Sequence, residues 1–385
     1  MLLKKKQYSY GKQSISWSDI WAVVKVLRSP WLTQGPKVKE FEDALCAYTG
    51  ARYAVAVSSG TAALHLAALC MNIKPGDEVI TSPITFLASA NCIIYAGGTV
   101  KFADIDLSTA CIDPQEIEKQ ITPKTRGIIP IHFAGHPCDM EQIAALAKKH
   151  NLFVIEDAAH AIGSEYDGTK IGACKYSDAT IFSFHPVKTI TTGEGGAVTT
   201  NNKEVYEKLL RLRSHGMTKD PQSLIKKDGP WYYEMHDLGF NYRMTDIQAA
   251  LGISQLKRLD KFAQRRREIV AYYKKAFAGD SRFSFLEEKD YVCSSYHLCP
   301  ILINFEKIFI SKKELFLALQ ENGLNLQVHY IPVHMQPFYK KLGFEAGDYP
   351  KSETYYKKTL SLPLYPDLKD KDLARIVYDI KRLLV

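Results

Sequence analysis

Between residues 53 and 200 the chain repeats one pattern: a short run of β-branched, aromatic or small apolar residues, then a stretch with helical spacing. The runs fall at 53–57, 78–81, 99–103, 127–131, 153–155, 179–184 and 197–200. Strands that alternate with helices predict a mostly parallel sheet, because parallel neighbours need a crossover and a helix supplies one. Each run is apolar nearly throughout instead of alternating with polar residues, so the sheet is expected to be covered on both faces. The expected class is therefore α/β, built on a mostly parallel seven-stranded sheet. Ligands of such sheets gather at the carboxyl ends of the strands.

Three stretches place chemistry there. Lys188 follows the run Ala179-Thr180-Ile181-Phe182-Ser183-Phe184 and precedes the glycine-rich Gly193-Glu194-Gly195-Gly196. A lysine flanking a strand is ordinarily a surface residue. At a half-desolvated strand end, however, the ammonium is disfavoured, and the neutral amine can form a Schiff base with an aldehyde cofactor. Asp157 closes the run Phe153-Val154-Ile155-Glu156; a helix cap is the everyday role for such an aspartate. It is also the carboxylate that a pyridoxal phosphate site needs to keep the pyridine nitrogen protonated. Ser58-Ser59-Gly60-Thr61 leads from the run 53–57 into an alanine-rich helix, serving either as a plain N-cap or as a phosphate cradle. Phe86, in Pro83-Ile84-Thr85-Phe86, opens another helix, and is either a core residue or one that stacks on a cofactor ring.

Composition narrows the alternatives. An apolar share of 46% over 385 residues supports a sizeable core. Lys4-Lys5-Lys6 is followed by no apolar run, and no stretch reaches the about 18 apolar residues of a membrane span, so a cytoplasmic protein with no membrane role is expected. The eight cysteines are scattered without a C-x-x-C pair, which argues for reduced thiols and against a zinc or disulfide framework. The net charge of +8 is spread out, and Arg265-Arg266-Arg267 reads as a solvated helix face, so nucleic acid is not an expected partner. His132 and His136 flank Gly135 and Pro137 in a loop, which does not suit a metal site.

Taken together and in order, these pieces resemble the DegT/DnrJ/EryC1/StrS sugar aminotransferases, vitamin B6 enzymes of the aspartate aminotransferase fold (fold type I). The resemblance also rests on Thr33-Gln34-Gly35-Pro36, Glu156-Asp157-Ala158-Ala159-His160 and Gly239-Phe240-Asn241-Tyr242-Arg243-Met244, and covers most of the chain. The wording of Ser183 to Gly196, Arg213-Ser214-His215-Gly216 and Val328-His329-Tyr330 is most similar to the branch that serves pseudaminic acid biosynthesis as a 4-aminotransferase.

The resemblance implies pyridoxal phosphate as cofactor, with Lys188 and Asp157 catalytic. Ser59, Gly60, Thr61 and Ser183 would hold the cofactor phosphate from one subunit of a homodimer and Asn241 from the other, with Phe86 and His160 flanking the ring. Thr33, Gln34, His185, Arg243, His329 and Tyr330 would bind substrate. The implied reaction moves an amino group from L-glutamate to the 4-keto carbon of a UDP-linked 4-keto-6-deoxy-N-acetylhexosamine, with ping-pong kinetics. Other acceptors, such as a 3-keto, dTDP- or GDP-linked sugar, stay open at this point. A sister branch that dehydrates its substrate carries histidine at the position of Lys188, and a non-catalytic cofactor-binding regulator would be expected to have lost Asp157 or Lys188.

The rest of the chain supplies an N-terminal arm with helices at 18–27 and 36–48, and a long polar and aromatic loop over 213–237. A helix is expected from Thr245 through Leu259 to Phe277. A smaller α/β unit is expected over 256–385, after a cofactor-binding unit over 1–255, with strands at 298–303 and 327–330 and helices at 311–322 and 369–384.

Overall fold

A computed structural model describes residues 6–384; Lys4 and Lys5 of the basic N-terminal triplet lie outside them. The central sheet has seven strands: β1 Tyr53–Val57, β2 Glu78–Thr81, β3 Thr99–Phe102, β4 Thr125–Ile129, β5 Phe153–Asp157, β6 Ala179–Ser183 and β7 Gly196–Thr200. Their spatial order is β1-β7-β6-β5-β4-β2-β3. All neighbours run parallel except β7, which is antiparallel to both β1 and β6.

Side-chain alternation explains why each strand reads as uniformly apolar. In β1, Ala54 and Ala56 join one core with Ile80, Ile128, Val154 and Phe182. Val55 and Val57 point the other way and join a second core with Val79, Ile129, Ile155 and Ile181. Both faces of β1 are buried, so its positions favour apolar residues. The helix Gly60–Cys70 covers the second face, with Ala62, Ala63, Ala67 and Ala68 buried. Its small side chains let the helix lie close against the sheet.

A third core gathers the C-terminal elements. The strands Phe283–Phe285, Cys299–Ile303 and Thr359–Leu362 form an antiparallel sheet, packed with the helices Leu259–Ala276, Lys312–Glu321 and Asp370–Arg382. The short strand Tyr8–Ser9 crosses over to pair in parallel with Leu324–Asn325. Among the described residues, no helix is long and apolar enough to cross a membrane.

The structure corrects three expectations. The expected strand at 327–330 is absent: pairing stops at Asn325, and Gln327 makes a single bridge to Ser361. The helix expected from Thr245 to Phe277 is two helices, Asp246–Leu256 and Leu259–Ala276. Arg258 leaves regular geometry at the junction and its guanidinium binds the buried Asp19 at 2.9 Å. The arginine triplet is not a solvated face. Arg266 is fully buried, and its Nη1 donates to the carbonyls of Leu364, His297 and, more weakly, Tyr296. Arg267 donates to the Ser294 carbonyl, and Arg265 to that of Leu368.

The loop over 213–237 contains one minimal hairpin, Met217–Thr218 with Glu234–Met235. Glu234 organises it by accepting from the N–H groups of Ile225 and Lys226, the Tyr232 hydroxyl and the His236 ring.

Arg266 serves carbonyls with no carboxylate beside it among the described residues, and burial draws its guanidinium down to about 10. Arg266→Met should therefore leave buried carbonyls without donors and cost about 3 kcal/mol, read as a lower urea midpoint at unchanged slope. Arg265→Ala, on the partly exposed neighbour, should cost about 1 kcal/mol or less. Equal losses for the two variants would contradict this account of the triplet.

Candidate active site

The carboxyl ends of β1, β5 and β6 open on one cavity of about 740 Å³. Asp157 is the last residue of β5 and is 5% exposed. Its Oδ2 accepts from the Ser89 hydroxyl at 2.6 Å and its Oδ1 from the Ala159 N–H at 3.1 Å, so both oxygens are held. Ser89 is itself 2.7 Å from the Thr85 hydroxyl, one helical turn earlier.

Lys188 stands in the loop between β6 and β7. That loop is closed at its base, where the Phe184 N–H donates to the Gly195 carbonyl, and braced inside, where the Thr192 N–H and the Thr191 hydroxyl donate to the Phe184 carbonyl. Burial pulls the Lys188 amine down to about 8, while the Asp157 carboxylate pulls the other way. The two groups are therefore near enough to feel each other within one cavity.

The turn after β1 forms a third wall. Ser59 caps the helix Gly60–Cys70, its hydroxyl accepting from the Ala62 N–H at 3.1 Å. The N–H groups of Gly60 and Thr61 have no partner among the described residues, which is the usual state of a helix start and suits an anion. Two glycines allow this turn to lie against the β6–β7 hairpin. A Cβ at Gly60 would meet the Ser183 Cβ at 2.7 Å, and one at Gly196 would meet the Ser59 carbonyl oxygen at 2.4 Å.

Aromatic groups complete the cavity. Phe86 stands at the N-cap of the helix Leu87–Tyr95 and is 58% exposed, with its ring 6.4 Å from that of Tyr330. His160 Nδ1 accepts from the Ala134 N–H at 3.3 Å, which leaves the proton on Nε2 to donate to the Tyr330 hydroxyl at 3.1 Å. Burial, assisted by Lys188 and His329, holds His160 well below the ordinary histidine range. His329 is pushed down to about 3, first by burial and then by Lys188, and its Nδ1 sits 2.8 Å from the Ser361 hydroxyl.

Among the residues singled out from sequence, Ser59, Gly60, Thr61, Phe86, Asp157, His160, Ser183, His185, Lys188, His329 and Tyr330 all line this cavity. His185 is exposed at its rim, 3.9 Å from Glu194. Thr33, Gln34, Asn241 and Arg243 do not line it. Thr33 bridges to Thr245, Asn241 to Ser214 and Arg243 to Val57, and Gln34 is exposed with φ of 54°. His132 and His136 lie apart from it: His132 Nε2 pairs with Glu156 at 2.7 Å, and His136 Nδ1 lies 2.7 Å from the Pro137 carbonyl. The sequence reading missed Tyr10, Ser89, Glu194 and Gln336, which also line the cavity. Only Ser89 had a local signal, the four-residue spacing from Thr85 at a helix start.

A lysine with a depressed pKa, a fixed buried carboxylate and a helix start with unpartnered N–H groups, all at the carboxyl edge of a mostly parallel sheet, fit pyridoxal phosphate. Together with the strand order they define a pyridoxal phosphate-dependent transferase of fold type I. The chain belongs to the DegT/DnrJ/EryC1/StrS aminotransferase family, whose sequence model matches residues 13–381. It is 44% identical over 374 residues to a UDP-4-amino-4,6-dideoxy-N-acetyl-beta-L-altrosamine transaminase of Campylobacter jejuni, covering 96% of each chain. Among solved structures it resembles Helicobacter pylori PseC, an aminotransferase involved in the biosynthesis of pseudoaminic acid, with a TM-score of 0.91, 35% identity and 98% and 99% of the two chains covered. It is also similar to a putative sugar aminotransferase of Streptococcus pneumoniae, Spr1654, in its PMP form, with a TM-score of 0.90, 35% identity and 97% and 98% coverage.

The depressed Lys188 pKa has a measurable consequence. An amine is nucleophilic only when deprotonated, so covalent capture of pyridoxal phosphate by the apoprotein should accelerate as pH rises through about 8 and level off above it. Stopped-flow absorbance across pH 6.5–10.5 checks this. An acceleration that continues unabated to about 10.4, the range of an ordinary lysine, would contradict the assigned environment.

Proposed function

We propose that this aminotransferase moves the amino group of L-glutamate to the 4-keto carbon of a UDP-linked 4-keto-6-deoxy-N-acetylhexosamine. The observation that carries the reading is the 44% identity, end to end, to a transaminase of a UDP-linked 4-amino sugar, in a chain whose own lysine and aspartate meet in one cavity. The likeness to PseC across nearly the whole of both chains supports the same acceptor class.

Bound pyridoxal phosphate supplies an electrophilic aldehyde and an electron-withdrawing ring. We assign Ser59, Gly60, Thr61 and Ser183 to its phosphate, and Phe86 and His160 to the two faces of its ring. Asp157 keeps the ring nitrogen protonated, and can do so because Ser89 and Ala159 fix both of its oxygens. Lys188 Nζ, neutral for much of the time near pH 8, takes the α-proton from the donor and returns a proton to the acceptor carbon in the second half of the cycle. The protein thus alternates between two half-reactions, and ping-pong kinetics follow.

Thr33, Gln34, Asn241 and Arg243 do not line this chain's cavity, and we assign them to the site of a second copy in a homodimer. There Asn241 reaches the cofactor phosphate, while His185, His329 and Tyr330 contact substrate within their own chain. Residues 1–255 act as the cofactor-binding unit and 256–385 as the smaller unit bearing His329 and Tyr330. All eight cysteines are free, in keeping with a reducing, cytoplasmic setting.

Mixing the holoenzyme with glutamate and following cofactor absorbance tests the donor half-reaction. Candidate UDP-linked keto-sugars, with the product's amino position read by NMR, test the acceptor. Lys188→Ala should lower turnover by about a thousandfold or more, and Asp157→Asn, which keeps shape but removes charge, by about a hundredfold or more. Normal turnover in Lys188→Ala, or amination only at carbon 3, would overturn the proposal.

A further inference from the structure

Tyr10 lines the cavity but has no role in the scheme above. Tyr10 belongs to the N-terminal segment, far from the rest of the site in sequence. The strand Tyr8–Ser9 pairs with Leu324–Asn325, and the Tyr10 backbone is held on both sides: its N–H donates to the Asn325 carbonyl at 3.0 Å and its carbonyl accepts from the Leu364 N–H at 2.9 Å. The side chain enters the cavity wall, with its ring 4.9 Å from that of His329 and tilted by 57°. Its hydroxyl makes no hydrogen bond among the described residues. A Cβ at the next residue, Gly11, would meet the Cβ of Val187, which precedes Lys188, at 3.6 Å.

This wall is aromatic and uncharged. Burial raises Tyr10 and Tyr330 above the usual tyrosine range and pushes His160 and His329 below the histidine range, so all four are neutral near pH 7. Apart from these rings, the ionisable side chains lining the cavity are Asp157, Lys188, Glu194 and the rim residue His185. A neutral aromatic wall carries no cation to pair with the carboxylates of an amino donor or with a diphosphate. It does suit a saccharide ring, whose C–H face lies on aromatic carbon and whose hydroxyls bond a tyrosine oxygen.

We propose that Tyr10 is a specificity-determining residue for the sugar acceptor, contacting the hexosamine ring through its ring face and its unpartnered hydroxyl beside His329. The inference rests on the proposed nucleotide-sugar acceptor and deepens it. The backbone bonds of Tyr10 do not depend on its side chain, so substitution leaves the strand in place.

The test uses the holoenzyme, with Tyr10→Phe and Tyr10→Leu, and measures the two half-reactions separately. Calorimetry with UDP-N-acetylglucosamine and with UDP alone serves as a binding readout that needs no turnover. The expected result for Tyr10→Leu is a KM for the keto-sugar about tenfold higher, as the loss of one good contact implies. UDP-N-acetylglucosamine should weaken similarly, with far smaller effects on the glutamate half-reaction and on UDP. Tyr10→Phe should lose only the hydroxyl's share. Unchanged sugar binding in Tyr10→Leu, or equal losses in both half-reactions, would overturn the assignment. A wild-type enzyme that accepts glutamate's amino group but passes it to no nucleotide-linked keto-sugar overturns the proposed function, and the Tyr10 assignment with it. No Tyr10 variant can produce that last pattern by itself.

Discussion

A primary amine and a carboxylate share one cavity, and the surrounding structure holds both in place. Burial favours loss of the Lys188 proton, while the carboxylate of Asp157 favours keeping it; the balance falls at about 8. That lies close enough to neutrality for the amine to act both as nucleophile and as proton carrier. A buried carboxylate without partners would be costly. Asp157 avoids that cost through the Ser89 hydroxyl and the Ala159 N–H, so the helix Leu87–Tyr95 and the chain following β5 are both tied to the floor of the site.

The reversed strand β7 explains where the lysine can stand. A parallel successor to β6 would need a crossover long enough to return to the far edge of the sheet. An antiparallel one needs only a loop that leaves and re-enters at the same end. The register pairs Ser183 with Gly196, and the Phe184 N–H meets the Gly195 carbonyl, so the loop carrying Lys188 is pinned at its neck on the ligand side. The same strand lays Gly196 against the Ser59 carbonyl, where a side chain would not fit. One reversal thus brings the amine and the helix start with its unpartnered N–H groups to the same wall.

The parts of this arrangement that were legible in the sequence share a property: their signal is local. Strand runs, the lysine after β6, the aspartate closing β5 and the Ser-Ser-Gly-Thr turn each announce themselves within a few residues. Tyr10 does not, because its place depends on pairing with Leu324–Asn325 more than three hundred residues later. Arg266 was misread because a run of like charges ordinarily faces water. Here three backbone carbonyls from distant segments converge on it, and no local pattern records that. The stretch 327–330 has strand-like composition, yet its backbone pairs with a strand only once, through Gln327, and its four residues line the cavity, Val328 also packing against the third core. Thr33, Gln34, Asn241 and Arg243 were singled out through family resemblance alone, and they are not among the residues that line this chain's own cavity.

The histidines around the site show how charge is kept off one wall. His160, His297 and His329 are buried, each is driven down first by desolvation, and each feels Lys188. Protonating any of them would set a second cation beside the lysine amine and push its own proton off. The Ala134 N–H settles the matter for His160 by occupying Nδ1, so the remaining proton is given to the Tyr330 oxygen. Tyr330 then has its own hydroxyl proton to offer elsewhere. A chain of neutral donors, running from backbone to imidazole to phenol, therefore ends at the cavity without carrying charge into it.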